Sequence, residues 1–294
     1  MVRIVLFAVC CLLAQAAYST QTIRYIEPFY GNDAKDKSYV ASVLRRAVAI
    51  SNEKFGDVEL EALPTPMLQG RQFRALDTGE IDLMWSMTSR TRENKALPIR
   101  IPVTMGLIGF RVFVIKSADQ ARFAEIEDIA ELKKLLAIQG HDWPDTEILQ
   151  ANGFNVHGVS WRDKMYKLLA RSHYDYFPRG VTEVGRELND LDKNHTLALE
   201  RKWMLYYPTA TYFFVRKGNT ELAERIEWGL NQMVDSGELR QMLFSHPIHK
   251  DALRMAHVEG RTLVELRNPV LPDNAPTLNP KYWVTYEELV QYAY

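Results

Sequence analysis

Cysteine is nearly missing from this chain. Of 294 residues only Cys10 and Cys11 are cysteine, and both sit near the N-terminus. Once that start is cleaved, no disulfide braces the remainder and no thiol is left as a nucleophile. Long apolar runs are scarce too. Past the N-terminal stretch nothing reaches the ~20 residues needed to cross a bilayer, so the body of the chain reads as soluble. A surplus of one charge is also absent. The 36 Lys and Arg against 37 Asp and Glu give a formal net charge of −1, which argues against the basic face of a nucleic-acid binder. No segment repeats another. His246, His249 and His257 have a spacing that suits a metal, but no acidic or cysteine partners are grouped with them. They read as surface histidines, and no cofactor is expected.

The N-terminus reads as an export signal over residues 1–19. Arg3 supplies a positive charge, Ile4 to Ala14 is apolar, and small residues follow at Ala14, Ala16, Ala17 and Ser19. A buried first strand is the plainer alternative. A lipoprotein is disfavoured, because Cys10 follows Val9 rather than a small residue. The mature chain of about 275 residues is long enough for one large or two ordinary domains without disulfides.

Strand and helix patterns alternate. Thr22–Ile26 is a strand. Ser38–Phe55 is an amphipathic helix with Val40, Val43, Leu44, Ala47, Val48 and Ser51 on one stripe. Val58–Leu63 is a second strand, and Gln69–Leu76 a short helix. Further on, Val112–Ile115 is a strand and Ile126–Leu135 a helix. Leu136–Ile138 follows as a strand, then a helix capped by Asp145 and running to Ala151. Trp161–Ala170 and Thr182–Leu188 are helices around a strand at Tyr174–Phe177. Tyr212–Val215 is a strand, followed by helices at Thr220–Ser236 and Glu238–Phe244. The tail is proline-rich from Asn268, with Trp283 packed back on the body and a short helix near Thr285–Tyr292. This order is that of an α/β protein with largely parallel sheets.

The most informative stretch is Leu76 to Lys116. A helix ends at Gly79, a buried strand follows (Ile81, Leu83, Met84, Trp85), and hydroxyls and arginines come next: Ser86, Thr88, Ser89, Arg90, Thr91, Arg92. Open α/β sheets bind ligands just past the carboxyl ends of their strands. Guanidinium groups there suit a carboxylate or phosphate, which they grip with two parallel bonds.

LDTGEIDLMWSMTSRTREN and YFFVRKGNTELAERIEWGLNQMVDSGEL, in this order, resemble the type II periplasmic solute-binding proteins, specifically the amino-acid-binding group (solute-binding protein family 3). The resemblance covers roughly Ile23 to Phe244. It implies a two-lobed α/β fold, each lobe a mostly parallel sheet flanked by helices, with two crossover strands. Lobe one would be residues 20–110 and 213–294, and lobe two 111–212. A small ligand would sit between lobes that close by a hinge. The implied protein is periplasmic, monomeric and not an enzyme. Its partners would be a small-molecule ligand and an inner-membrane ABC permease or membrane sensor. An enzyme on the same scaffold, of dehydratase or cell-wall lyase type, and a relative that has lost its ligand remain open alternatives.

The resemblance also implies site residues. Phe29 or Tyr30 would stack on the ligand, or cap the core. Trp85 is either cleft wall or core. Ser86 and Thr88 match positions that hold a ligand carboxylate. The family then places an Arg where strict counting gives Glu93. Arg92 fits if one loop residue is missing, and Arg90 is the alternative. In the second lobe, Asp142 would cap a helix or receive an ammonium, and Trp143 would stack or pack in the core. Where the family has an ammonium-binding Asp, this chain has Arg179 or Gly180. Either Asp142 or Glu183 substitutes, or the ligand is anionic and held by Arg92 and Arg179 from opposite lobes.

Overall fold

The computed structural model describes residues 21–27, 38–171, 173–277 and 279–293. The signal-peptide assignment and the stacking candidates Phe29 and Tyr30 lie outside them. The first sheet grows from strand–helix–strand units. β1 (Gln21–Ile26) leads to α1 (Tyr39–Phe55), whose buried side includes Val43, Leu44, Ala47 and Val48. Ser38 opens the helix by accepting from the Ala41 amide. β2 (Val58–Leu63), α2 (Gln69–Thr78) and β3 (Leu83–Met87) follow. Gly79 ends α2 at φ +78°, the left-handed conformation that glycine takes without strain. With α3 (Arg90–Glu93), β4 (Leu97–Ile99) and a later strand β11 (Thr211–Val215), the sheet has the order β2-β1-β3-β11-β4.

The second sheet starts at β5 (Phe110–Lys116), buried along nearly its whole length. After α4 (Gln120–Ala124) and α5 (Ile129–Lys134) come β6 (Leu136–Gly140), α6 (Pro144–Ala151) and β7 (Asn155–Val159). Then follow α7 (Arg162–Arg171), β8 (Tyr176–Gly180), α8 (Val184–Leu191), β9 (Leu197–Leu199) and β10 (Trp203–Tyr206). The two segments that carry the chain from β4 to β5 and from β10 to β11 run side by side. The Tyr207 amide donates to the Gly109 carbonyl at 3.3 Å, and the Val103 amide to the Thr211 carbonyl at 3.0 Å.

Past β11, α9 (Thr220–Asp235) and α10 (Glu238–Ser245) return to the first lobe, where α9 lies along α1. The chain does not stay there. α11 (Pro247–Ala256) packs on α8, and β12 (Thr262–Glu265) pairs in parallel with β10, completing the order β12-β10-β5-β8-β6-β7 with β9 on β5. The segment 213–294, assigned to lobe one from the sequence, thus adds an edge strand to the second sheet. The tail then folds back: α12 (Tyr286–Ala293) packs on α11, and the Trp283 indole donates to the Tyr206 hydroxyl at 3.0 Å.

Both sheets are mixed. β2-β1-β3 and β8-β6-β7 are parallel, as expected of crossover units. The strands next to the crossings, β11 and β5, run antiparallel to β3 and β8 because the chain re-enters each lobe from the far side. Asp145 is not the cap of α6. That helix begins at Pro144 after Trp143, with no side-chain cap. Among the described residues no helix is long and apolar enough to cross a membrane.

Candidate functional site

A cavity of ≈ 890 Å³ opens between the two sheets, lined from both lobes. Arg92 stands in its wall. β3 is buried on both faces and stops at Met87, and Ser89 caps the short α3 by accepting from the Arg92 amide at 3.2 Å. That turn folds the Arg92 side chain back toward the strand end, where the residue is only 6 % exposed. Its Nη1 donates to Ser86 Oγ at 2.5 Å and to the Met87 carbonyl at 2.9 Å. Its Nη2 donates to Gln69 Oε1 at 2.6 Å and, across the cleft, to the Asp142 carbonyl at 2.7 Å. All four acceptors are neutral. Burial therefore pulls its pKa down to about 10.

The second lobe contributes a different kind of arginine. Arg179 on β8 forms a two-pronged pair with Glu187 (2.6 and 2.8 Å) and a further pair with Glu183 at 3.0 Å. Burial works against its charge, but the two carboxylates outweigh it and keep its pKa above the ordinary value. Glu187, one turn along α8, also accepts from the Tyr166 hydroxyl at 2.9 Å and from Arg162 at 3.2 Å. Burial raises the Glu187 carboxyl, and the arginines more than reverse this, to about 2. Arg111 on β5 is 2 % exposed and pairs with Asp145 at 2.7 Å, where the Tyr207 hydroxyl also donates at 2.5 Å. Arg111, Arg162 and Arg179 are thus matched by Asp145, Glu183 and Glu187.

The sequence-derived candidates separate clearly. Trp85, Ser86, Arg92, Trp143 and Arg179 all line the cavity. Trp85 is half-buried and set edge-on to Phe213 at 6.2 Å, so it is at once wall and core. The Arg179 guanidinium lies 4.9 Å over the Trp143 ring. Three candidates lie off the cavity. Thr88 donates to Glu93 Oε1 at 2.8 Å, on the side turned toward Arg100. Arg90 points outward to the Pro269 carbonyl and Asp273, because position 90 falls on the opposite side of α3 from position 92. Asp142 places its carboxylate on the Gly70 amide at 3.0 Å, so it caps α2 of the other lobe rather than facing a ligand.

Residues that sequence reasoning passed over complete the wall: Gln69, Arg111, Tyr39 and Thr104. Arg111 had a readable signal, as the lone charge in the apolar run Leu107 to Ile115. Among the described residues, Arg111 Nε and Thr104 Oγ1 find no acceptor or donor of their own. His249 is buried rather than on the surface. It faces the Leu243 carbonyl at 2.7 Å, and its ring lies 4.5 Å from that of Tyr39. Among the described residues no group of three or more His, Cys, Asp or Glu could hold a metal.

No family model and no curated protein matches the chain. Solved structures do. A Salmonella typhimurium periplasmic binding protein with high arginine specificity aligns at 18% identity and TM-score 0.58, over 76% of this chain and 97% of that one. A histidine kinase sensor domain similar to periplasmic binding proteins aligns at 15% identity and TM-score 0.54, over 76% and 94%. An ancestral amino-acid-binding protein, a precursor of cyclohexadienyl dehydratase, aligns at 14% identity and TM-score 0.55, over 76% and 93%. At such identities the likeness speaks to architecture alone: over about three quarters of its length this chain has the two-lobed fold of the periplasmic binding proteins.

Proposed function

We propose that this chain is an exported solute-binding protein that closes two lobes over a small carboxylate-bearing ligand, amino acids included. One observation carries the reading. Arg92 is a buried cation in the wall of an interlobe cavity, and all its hydrogen-bond acceptors are neutral. Asp142 and Asp145 act on it from a distance but do not offset its burial, and a buried charge with no directly bonded carboxylate is costly. A ligand carboxylate that replaces one of these neutral acceptors supplies the bonded counter-charge, and a charge-assisted bond contributes ~1.5–3 kcal/mol. Ser86, Gln69 and Thr104 offer further polar contacts on the same wall. The part first given to Arg179 changes in this proposal. Its charge is already spent on Glu187 and Glu183, so it braces the second lobe instead of gripping an anion.

The likeness to a protein assigned as the binding component of an ABC transporter supports delivery to a permease, and the likeness to a kinase sensor domain supports delivery to a membrane sensor. The basic, apolar and small-residue order of residues 1–19 supports export to the periplasm. Binding is favoured over catalysis because Asp145 and Glu187 are committed to arginines and tyrosine hydroxyls, a poor setting for proton transfer.

A thermal-shift panel of amino acids, organic acids and their neutral amides tests this. Acids should raise the melting temperature and their amides should not. A ligand at a hundredfold excess over its dissociation constant adds ~2.7 kcal/mol. Equal response to acids and amides, or none to the whole panel, rejects the reading. Turnover of a bound acid would move the protein to the enzymes.

A further inference from the structure

The cavity is larger than its inner end needs. A ligand of roughly ten heavy atoms, each no larger than a water at ~30 Å³, fills about a third of it. The remainder reaches a rim built by the start of α7, where Trp161, Lys164 and Lys167 line the opening. Trp161 is 51% exposed. Its backbone sits at φ +65°, a left-handed conformation that bulky residues rarely adopt. The Trp161 carbonyl accepts from the Lys164 and Met165 amides at 3.1 and 3.2 Å, so the strained residue also opens the helix. Strain held at the mouth of a cavity points to use.

The charges along the wall are unevenly settled. In the middle, Arg111, Arg162 and Arg179 cancel against Asp145, Glu183 and Glu187. At the rim, Asp163 lies 3.7 Å from Arg162, and Arg186 lies 3.9 Å from Asp190. Among the described residues Lys164 and Lys167 have no carboxylate at ion-pair distance, and both are exposed. Two positive poles remain, Arg92 buried inside and the lysine pair at the rim.

We propose that the cavity takes linear ligands with an acidic group at each end. The inner acid meets Arg92, the outer acid meets Lys164 and Lys167, and the Trp161 indole covers the spacer. This rests on the solute-binding reading above and narrows its ligand class.

The test is calorimetric titration, at low salt, of straight-chain dicarboxylic acids against monocarboxylic acids of equal length. The best diacid should bind about fivefold tighter than its monoacid, as expected of two exposed ion pairs. High salt should remove that preference. In Lys164→Met/Lys167→Met the diacid-to-monoacid ratio should fall to about one. Trp161→Ala should weaken the diacid by about threefold through lost ring contact. Monoacids binding as well as diacids, or a preference that survives the double substitution, overturns the rim site and leaves the Arg92 reading standing. Failure of every acid to bind overturns both.

Discussion

Arg92 and Arg179 face one cavity from opposite lobes, and both are buried, yet their chemistry diverges. Arg179 spends its fork on Glu187, while Arg92 donates only to neutral oxygens and feels Asp142 and Asp145 without bonding to their carboxylates. From the sequence the two looked equivalent. The partner that neutralises Arg179 lies eight residues on, across a turn whose geometry decides whether the side chains meet. The acceptors of Arg92 come from Gln69 and Asp142, distant in the chain. The same residue-level packing fixes the acid response. Burial pulls His249 from 6.5 down to about 3, and Glu187 falls from 4.5 to about 2, its burial outweighed by Arg179 and Arg162. In both cases the unfolded chain binds a proton at a pH where the folded one does not, so stability rises with pH across each window. His249's contribution should start to be lost below pH 6.5 and Glu187's below pH 4.5. Urea midpoints should therefore drop steadily from pH 7 to pH 4, and His249→Asn should flatten the upper part of that fall. An unchanged slope in the variant would contradict the assignment.

Elements were more legible than their ends. α1, α2 and α9 follow their apolar stripes closely, and β3 is where the short apolar run put it. β4, β7, β9, β10, β12, α3, α4 and α11 were not foreseen. The strands are only three to five residues long, too short to show a period, and their stability comes from the sheet they join. Asp145 was read as a helix cap because it stands at the right offset, but a buried arginine competes for it more strongly. The cap that matters is made between lobes: Asp142 holds the Gly70 amide in the first turn of α2. This bond exists only while the lobes are together, so its strength adds to the population of the closed form. Asp142→Ala should lower ligand affinity by roughly 2- to 30-fold, the worth of a helix cap. Asp142→Asn, which keeps an acceptor oxygen, should recover much of it. Equal affinities for all three proteins would remove the interlobe latch.

At the scale of the whole molecule, alternating strands and helices made an α/β chain with a second unit after Phe110 readable, and the two-lobed arrangement followed from the resemblance carried by the quoted motifs. The destination of the tail was not readable. Proline-rich residues 268–280 show no period, and only tertiary contacts reveal that the segment is held from both sides. Asn152 donates to the Arg267 carbonyl, Asn268 to the Pro208 carbonyl at a crossing, and Arg90 to the Pro269 carbonyl. Arg90 is thus used in holding the tail, whereas Arg92, two residues later, lines the cavity. Their contrast gives the most direct test that the lobes enclose a carboxylate on Arg92. The tightest acid found by thermal shift should be titrated calorimetrically into the parent protein, Arg92→Met and Arg90→Ala, each shown to be folded by circular dichroism. The account predicts a loss of ~10–100-fold for Arg92→Met and less than about twofold for Arg90→Ala. Undiminished binding by Arg92→Met, or a loss confined to Arg90→Ala, would contradict it.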